Sequence, residues 1–104
     1  MNNIVPLKKC PTKKEAQEII RRLAEDGEVR FDPHAQRRKR SRFISDMQIL
    51  NCLSTGWVDE DPAPNMSRQG WETAVRGKVA GETLRVAVCI RWKQDVLVVT
   101  CYFE

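Results

Sequence analysis

A chain of 104 residues, 41% hydrophobic and 31% charged, has the composition of one soluble globular domain rather than of a disordered chain; at this size folding hides roughly two-thirds of the unfolded surface. Its 18 Lys and Arg against 14 Asp and Glu leave a net charge of +4, which allows a polyanionic partner without requiring one, so the placement of the charge decides. No stretch approaches the roughly 18 apolar residues of a membrane span, and the start MNNIVPLKKC has no apolar leader core.

Cys10, Cys52, Cys89 and Cys101 show neither CxxC spacing nor companion histidines. No metal site and no cofactor is therefore expected, and four reduced thiols point to the cytoplasm.

In chain order, the first half predicts helices. Thr12 followed three residues on by Glu15 is a capping box; Ala16, Ile19, Ile20 and Leu23 follow at helical spacing, and Gly27 suits the position just past a helix end. Residues 28–31, EVRF, read as a short extended link. Asp32 before Pro33 is a second start signal, an N-cap with proline at the first helical position. This places residues 33–45, PHAQRRKRSRFIS, on a short helix ending near Arg42. The segment holds Arg37, Arg38, Lys39, Arg40 and Arg42, the chain's only histidine, His34, and no carboxylate. His34, Arg38 and Arg42 stand four apart, and each step of four residues in an α-helix returns to within about 40° of the same direction. In a helix they form one stripe. Ser45 and Gln48 make another capping box, with Ile49, Leu50 and Leu53 as an apolar face before Gly56. Residues 59–70, DEDPAPNMSRQG, combine acids, two prolines and a glycine, and predict an exposed loop.

The second half predicts a sheet. WETAVRGKV and TLRVAVCIRW alternate with period two and join near Ala80-Gly81; VLVVTCYFE follows a turn around Lys93-Gln94-Asp95. Pairing Val79 with Glu82 and Trp92 with Asp95 gathers Trp71, Thr73, Val75, Leu84, Val86, Val88, Ile90, Leu97, Val99, Cys101 and Phe103 on one inner face. A one-residue slip would expose the whole set. The opposite face then carries Arg76, Arg85 and Tyr102 in one row, Ala74, Ala87 and Thr100 in the next, and Glu72, Cys89 and Val98 beyond. Trp57 and Trp71 read as core, and Trp92, between two basic residues, as the exposed aromatic. The expected architecture is α+β, a single domain over residues 1–104. About three N-terminal helices (12–56) pack on a three- or four-stranded antiparallel sheet (71–103), with the loop 59–70 between them.

His34-Ala35, Arg38, Arg42 and Ile44-Ser45, the helix to Gly56 with its following Trp57, VRGKVAG, and LRVAVCI with VLVVTCYF together resemble the bacterial domain-of-unknown-function family 4258 over roughly residues 15–103. The resemblance implies a fold beside the RelE and ParE toxin-like domains. Toxins of that kind cleave messenger RNA or poison a topoisomerase, and an antitoxin partner neutralises them. The chain departs from the family pattern at Lys39, where an apolar residue is usual, and at Phe43, where glycine is usual. The first alters the inward anchor of the basic helix, the second its ending.

Metal-free RNA cleavage requires a proton taken from the 2′-hydroxyl, a stabilised phosphorane and a protonated leaving oxygen. His34 supplies an imidazole, and Arg38 and Arg42 a guanidinium clamp, facing Arg85 and Tyr102. These five are the candidate catalytic residues; Arg37, Lys39, Arg40 and Arg76 are the candidate nucleic-acid contacts. The favoured expectation is a toxin-like, RNA-directed protein acting as a metal-independent endoribonuclease. Two alternatives use the same stripe: a non-catalytic nucleic-acid-binding or regulatory module, and a protein-interaction domain meeting an acidic antitoxin-like partner. Plainer readings stand beside them. A histidine near a helix start bonds a nearby backbone or carboxylate group, Arg38 and Arg42 pair with Glu18 or Glu25, and a basic run is a solvated face.

Overall fold

The computed structural model describes residues 9–104; the reading of the first residues as lacking a leader core falls largely outside them. Helix α1 (Lys13–Glu25) starts on its capping box: Thr12 Oγ1 accepts from the Glu15 N–H at 3.1 Å, and Glu15 Oε1 accepts from the Thr12 N–H at 2.9 Å. Its buried stripe is Ala16, Ile19, Ile20 and Leu23. Gly27, at φ +75°, ends it in the left-handed conformation that only glycine takes without a Cβ penalty. Strand β1 (Val29–Phe31), helices α2 (Pro33–Ser41) and α3 (Asp46–Thr55), and strands β2 (Trp57–Val58), β3 (Ala63–Asn65), β4 (Gly70–Val79), β5 (Glu82–Arg91) and β6 (Asp95–Phe103) follow. Among the described residues no helix is long and apolar enough to cross a membrane.

The chain is α+β, but the expected three- or four-stranded antiparallel sheet is wrong in size and in kind. The sheet has six strands, ordered β1-β6-β5-β4-β2 with β3 also on β4. It is mixed, because β1 runs parallel to β6, Val29 opposite Val96 and Phe31 opposite Val98. The helices are not one block ahead of the sheet either, since β1 lies between α1 and α2. Strand β1 is three residues long and its partner is at the far end of the chain, so no local alternation announces it. The predicted loop 59–70 likewise contains β3, which pairs Asn65 with Gly70 across a turn where Gln69 has φ +54°.

Along β4 and β5 the register is the expected one, with Val79 opposite Glu82 and Arg76 opposite Arg85. Ala80 and Gly81 both have positive φ, the two-residue turn whose twist suits a hairpin. Between β5 and β6 the turn is one residue longer than expected: Arg91, not Trp92, faces Asp95, with Gln94 at φ +73°. The extra residue Val99 forms a bulge that restores the count, so Ala87 faces Thr100 and Arg85 faces Tyr102. Val96 and Val98 therefore fill the core in place of Leu97 and Val99, and Leu97 takes the expected place of Val98 opposite Cys89.

Helix α3 packs on β4 and β5, and α1 packs on α3, β2 and β6. Ile20, Ile49, Leu53, Leu84, Ile90 and Val96 are fully buried there, each such side chain contributing roughly 1.5–3 kcal/mol. Trp92 packs against this core instead of standing exposed, and Trp57 is 43% exposed instead of buried.

All four cysteines are free; Cys10 is exposed and the other three are buried. Burial pushes the Cys52 thiol up to about 12 and the Cys89 thiol up to about 11, from 9.0. The unfolded chain therefore ionises these thiols first, so their contribution to stability is complete below about pH 9 and is lost as pH rises toward 11 to 12. Melting temperature should fall with pH across that window. Native alkylation should label Cys10 and spare the others; labelling of Cys52 as fast as Cys10 in folded protein would contradict this burial.

Candidate nucleic-acid interface

Helix α2 is fixed at both ends to the edge of β6. Asp32 Oδ1 accepts from the His34 N–H at 2.8 Å, capping the helix with Pro33 in its first turn. The Asp32 N–H donates to the Val98 carbonyl at 3.0 Å, and at the other end the Arg42 guanidinium donates to the Cys101 carbonyl at 2.7 Å. Only Ala35 of α2 is buried, which leaves the basic side outward.

The helix ends in a Schellman motif: the Ile44 N–H donates to the Lys39 carbonyl at 2.9 Å and the Phe43 N–H to the Arg40 carbonyl at 3.3 Å. The residue that must turn left-handed is Phe43, at φ +54°. The second departure from the family pattern thus falls on the one position of this helix end where lacking a Cβ matters. Lys39, the first departure, occupies an inward position. Its side chain is 13% exposed, its ammonium lies 4.7 Å from the centroid of the Phe31 ring, and it pairs with Asp46. That inward charge has less to offer a phosphate than its neighbours.

His34, Arg38 and Arg42 lie at helical spacing along α2 and are all exposed. His34 Nε2 accepts from Arg38 Nε at 3.2 Å. Pairing of Arg38 or Arg42 with Glu18 or Glu25 is not found. Among the described residues none of Arg37, Arg38, Arg40 and Arg42 is in an ion pair. The Arg42 guanidinium stands 5.9 Å from the centroid of the Tyr102 ring, within the range of a cation–π contact.

Arg76, Arg85 and Tyr102 form the expected row across β4, β5 and β6. The Tyr102 hydroxyl is 3.5 Å from Arg85 Nη1, a long contact. Both arginines of the row are neutralised, Arg85 by Glu60 and Arg76 by Asp59 and by Glu104 at 2.6 Å. The hydrogen bond to Glu104 pushes the Arg76 guanidinium up. The sequence places Asp59 and Glu60 in a loop apart from the sheet; β2 delivers them by pairing Trp57 with Arg76, whereas Glu104 follows directly on β6. Two groups result: His34 with Arg38, and Arg42 with Tyr102 and Arg85. They are joined along α2, His34 lying about 12 Å along the helix axis from Arg42.

A cavity of about 300 Å³ opens elsewhere, lined by Asp32, Ser67, Arg68, Gln69, Arg91, Lys93 and Leu97. Two of its cations are already paired: Arg68 with Asp32 at 3.7 Å and Glu72 at 3.4 Å, Arg91 with both oxygens of Asp95 at 2.7 Å. It shares only Asp32 with the foot of α2. Among the described residues, no group of three or more His, Cys, Asp or Glu stands together as metal ligands would.

No curated protein and no solved structure matches the chain. A family described as a domain of unknown function, DUF4258, matches residues 31–103. The match runs from the last residue of β1 to the end of β6, so it takes in all of α2, Phe43 and Tyr102 and leaves α1 outside. Over most of its length, then, including every candidate residue named above, the chain belongs to the domain-of-unknown-function family DUF4258.

Proposed function

We propose that this domain is a toxin-like, RNA-directed protein, a metal-independent endoribonuclease with α2 as its RNA-binding element. The observation that supports this is the set of exposed, unpaired guanidiniums on α2 and its cap, Arg37, Arg38, Arg40 and Arg42. Elsewhere Arg30, Arg68, Arg76, Arg85 and Arg91 each sit in an ion pair; on α1, Arg21 donates to the Gly56 carbonyl and Arg22 stands alone. Among the described residues only α2 and its cap gather four such guanidiniums. A row of guanidiniums without carboxylates suits phosphate oxygens. In this reading Arg38 leaves His34 for a phosphate, which frees Nε2 to accept the 2′-hydroxyl proton as the 2′-oxygen attacks phosphorus, and the 5′-oxygen that leaves takes its proton from water. Arg42, tied to the Cys101 carbonyl, holds the neighbouring phosphate. Arg85, held by Glu60, positions the Tyr102 hydroxyl beside it. The kinship with RelE and ParE toxins belongs to the same proposal, as does an acidic antitoxin-like partner covering α2. A cytoplasmic setting fits the four free thiols.

The test is incubation with single-stranded RNA in EDTA. Products ending in 2′,3′-cyclic phosphate support the nuclease. Binding without products supports the second reading, a non-catalytic RNA-binding module, which the distance between His34 and Arg42 favours. Absence of binding at low salt contradicts both. Arg37→Gln and Arg40→Gln should each weaken binding evenly across sequences and reduce the salt slope by roughly 0.7 to 1. Lys39→Gln should instead lower the melting temperature and barely move affinity, because its charge is engaged by Asp46 and Phe31.

A further inference from the structure

Phe43 is 91% exposed, ahead of Met47 at 75% and Met66 at 70%. It is also the one aromatic among the non-glycine residues at positive φ, the others being Gln69, Ala80 and Gln94. An aromatic residue holds that conformation at a cost that glycine avoids. Its ring makes no cation–π contact among the described residues; its exposure rules out core packing, and its place in the helix end uses only its backbone. The sequence leading to it is cationic: Arg40 and Arg42 precede it and are exposed, and no carboxylate occurs between residues 33 and 45. Arg42 is held in place by the Cys101 carbonyl beside Tyr102.

A bare ring next in sequence to an anchored guanidinium, Arg42, and three residues from the exposed Arg40 suits a ligand with phosphates and an accessible π face. A nucleic acid supplies phosphates in either form, but a duplex keeps its base faces stacked inside; only an unpaired base offers one. Resting on the RNA reading above, we propose that the ligand is a single strand, and that Phe43 stacks on an unpaired base next to the phosphate held by Arg42. An acidic peptide would satisfy the guanidiniums, but it has no need of a flat, isolated ring.

The test is fluorescence anisotropy with a short labelled RNA, alone and annealed to its complement, at low salt. Wild-type protein should bind the single strand more tightly than the duplex. Phe43→Gly should lower single-strand affinity about tenfold and leave duplex affinity unchanged. The same variant removes the backbone strain, so its melting temperature should rise and the loss cannot be laid to unfolding. Phe43→Trp should keep single-strand binding. If wild type binds RNA and Phe43→Gly matches it on the single strand, the stacking proposal is overturned and the RNA reading stands. If wild type binds neither form, both are overturned. If the variant loses affinity for poly-glutamate and not for RNA, the ring belongs to a protein contact and the proposal is likewise overturned.

Discussion

His34→Ala should lower RNA turnover in EDTA by about 10²–10⁴-fold, the usual worth of a general acid or base, while changing RNA affinity little. The side chain of His34 has one polar partner, Arg38, at 3.2 Å, and both residues are exposed. The bond to the Asp32 cap comes from the backbone N–H of His34, so alanine keeps the cap and is itself a good helix former. The melting temperature should stay near that of wild type, and a lost rate then reports chemistry rather than folding. Arg38→Ala should behave differently. A guanidinium on phosphate acts in the ground state and the transition state alike, so affinity and turnover should fall together. Binding, turnover and melting measured on the same preparations separate the two variants. Unchanged turnover in folded His34→Ala would remove the imidazole from the mechanism.

Gly56→Ala should cost roughly 3 kcal/mol or more of stability, at the upper end of overpacking effects. A Cβ there would lie 2.3 Å from the Arg76 carbonyl oxygen and 2.6 Å from that of Cys52, both backbone atoms with nowhere to turn. The position is also a junction. Its N–H donates to the Cys52 carbonyl at 2.8 Å, and its carbonyl accepts from the Arg21 guanidinium at 2.8 Å, tying α1 to the start of β2. Since β2 leads directly into Asp59 and Glu60, the strain would reach the pairs on Arg76 and Arg85. Gly27→Ala is the control: its Cβ would meet nothing within 4 Å, and only φ +75° opposes it, at a cost of about 1 kcal/mol. Urea titration of both variants gives the order; a larger loss at Gly27 would contradict the close approach at Gly56.

Much of the fold was legible because its signals are local. The capping boxes at Thr12-Glu15 and Ser45-Gln48, the Asp32-Pro33 start and the Ala80-Gly81 hairpin each depend on residues within a few positions. The extended conformation of residues 28–31 was legible, but the place of β1 in the sheet was not, because three residues carry no period and the pairing with β6 spans most of the chain. The β6 register was half legible. A turn of 92–94 instead of a two-residue turn shifted it, and the bulge at Val99 shifted it back.

The stripe of His34, Arg38 and Arg42 followed from spacing alone, whereas Asp59 and Glu60, which pair with Arg76 and Arg85, arrive by a tertiary pairing of β2. Trp92 was taken for the exposed aromatic because of its basic neighbours. Its backbone N–H instead donates to the Gln69 carbonyl at 2.8 Å, and the residue packs on the core. The most exposed ring among the described residues is Phe43. Its signal was present in the sequence as a non-glycine at a helix end, but the exposure depends on the Schellman turn itself.

The salt dependence of wild-type binding to a labelled single-stranded RNA tests most directly whether α2 is a phosphate-binding element. Three to four of the free guanidiniums at Arg37, Arg38, Arg40 and Arg42 each releasing a counterion from a single strand give a slope of log K against log salt of roughly −2 to −3. That slope, reduced in Arg37→Gln and Arg40→Gln, is the predicted result. A flat dependence, or a slope the two variants leave untouched, would contradict the assignment of α2.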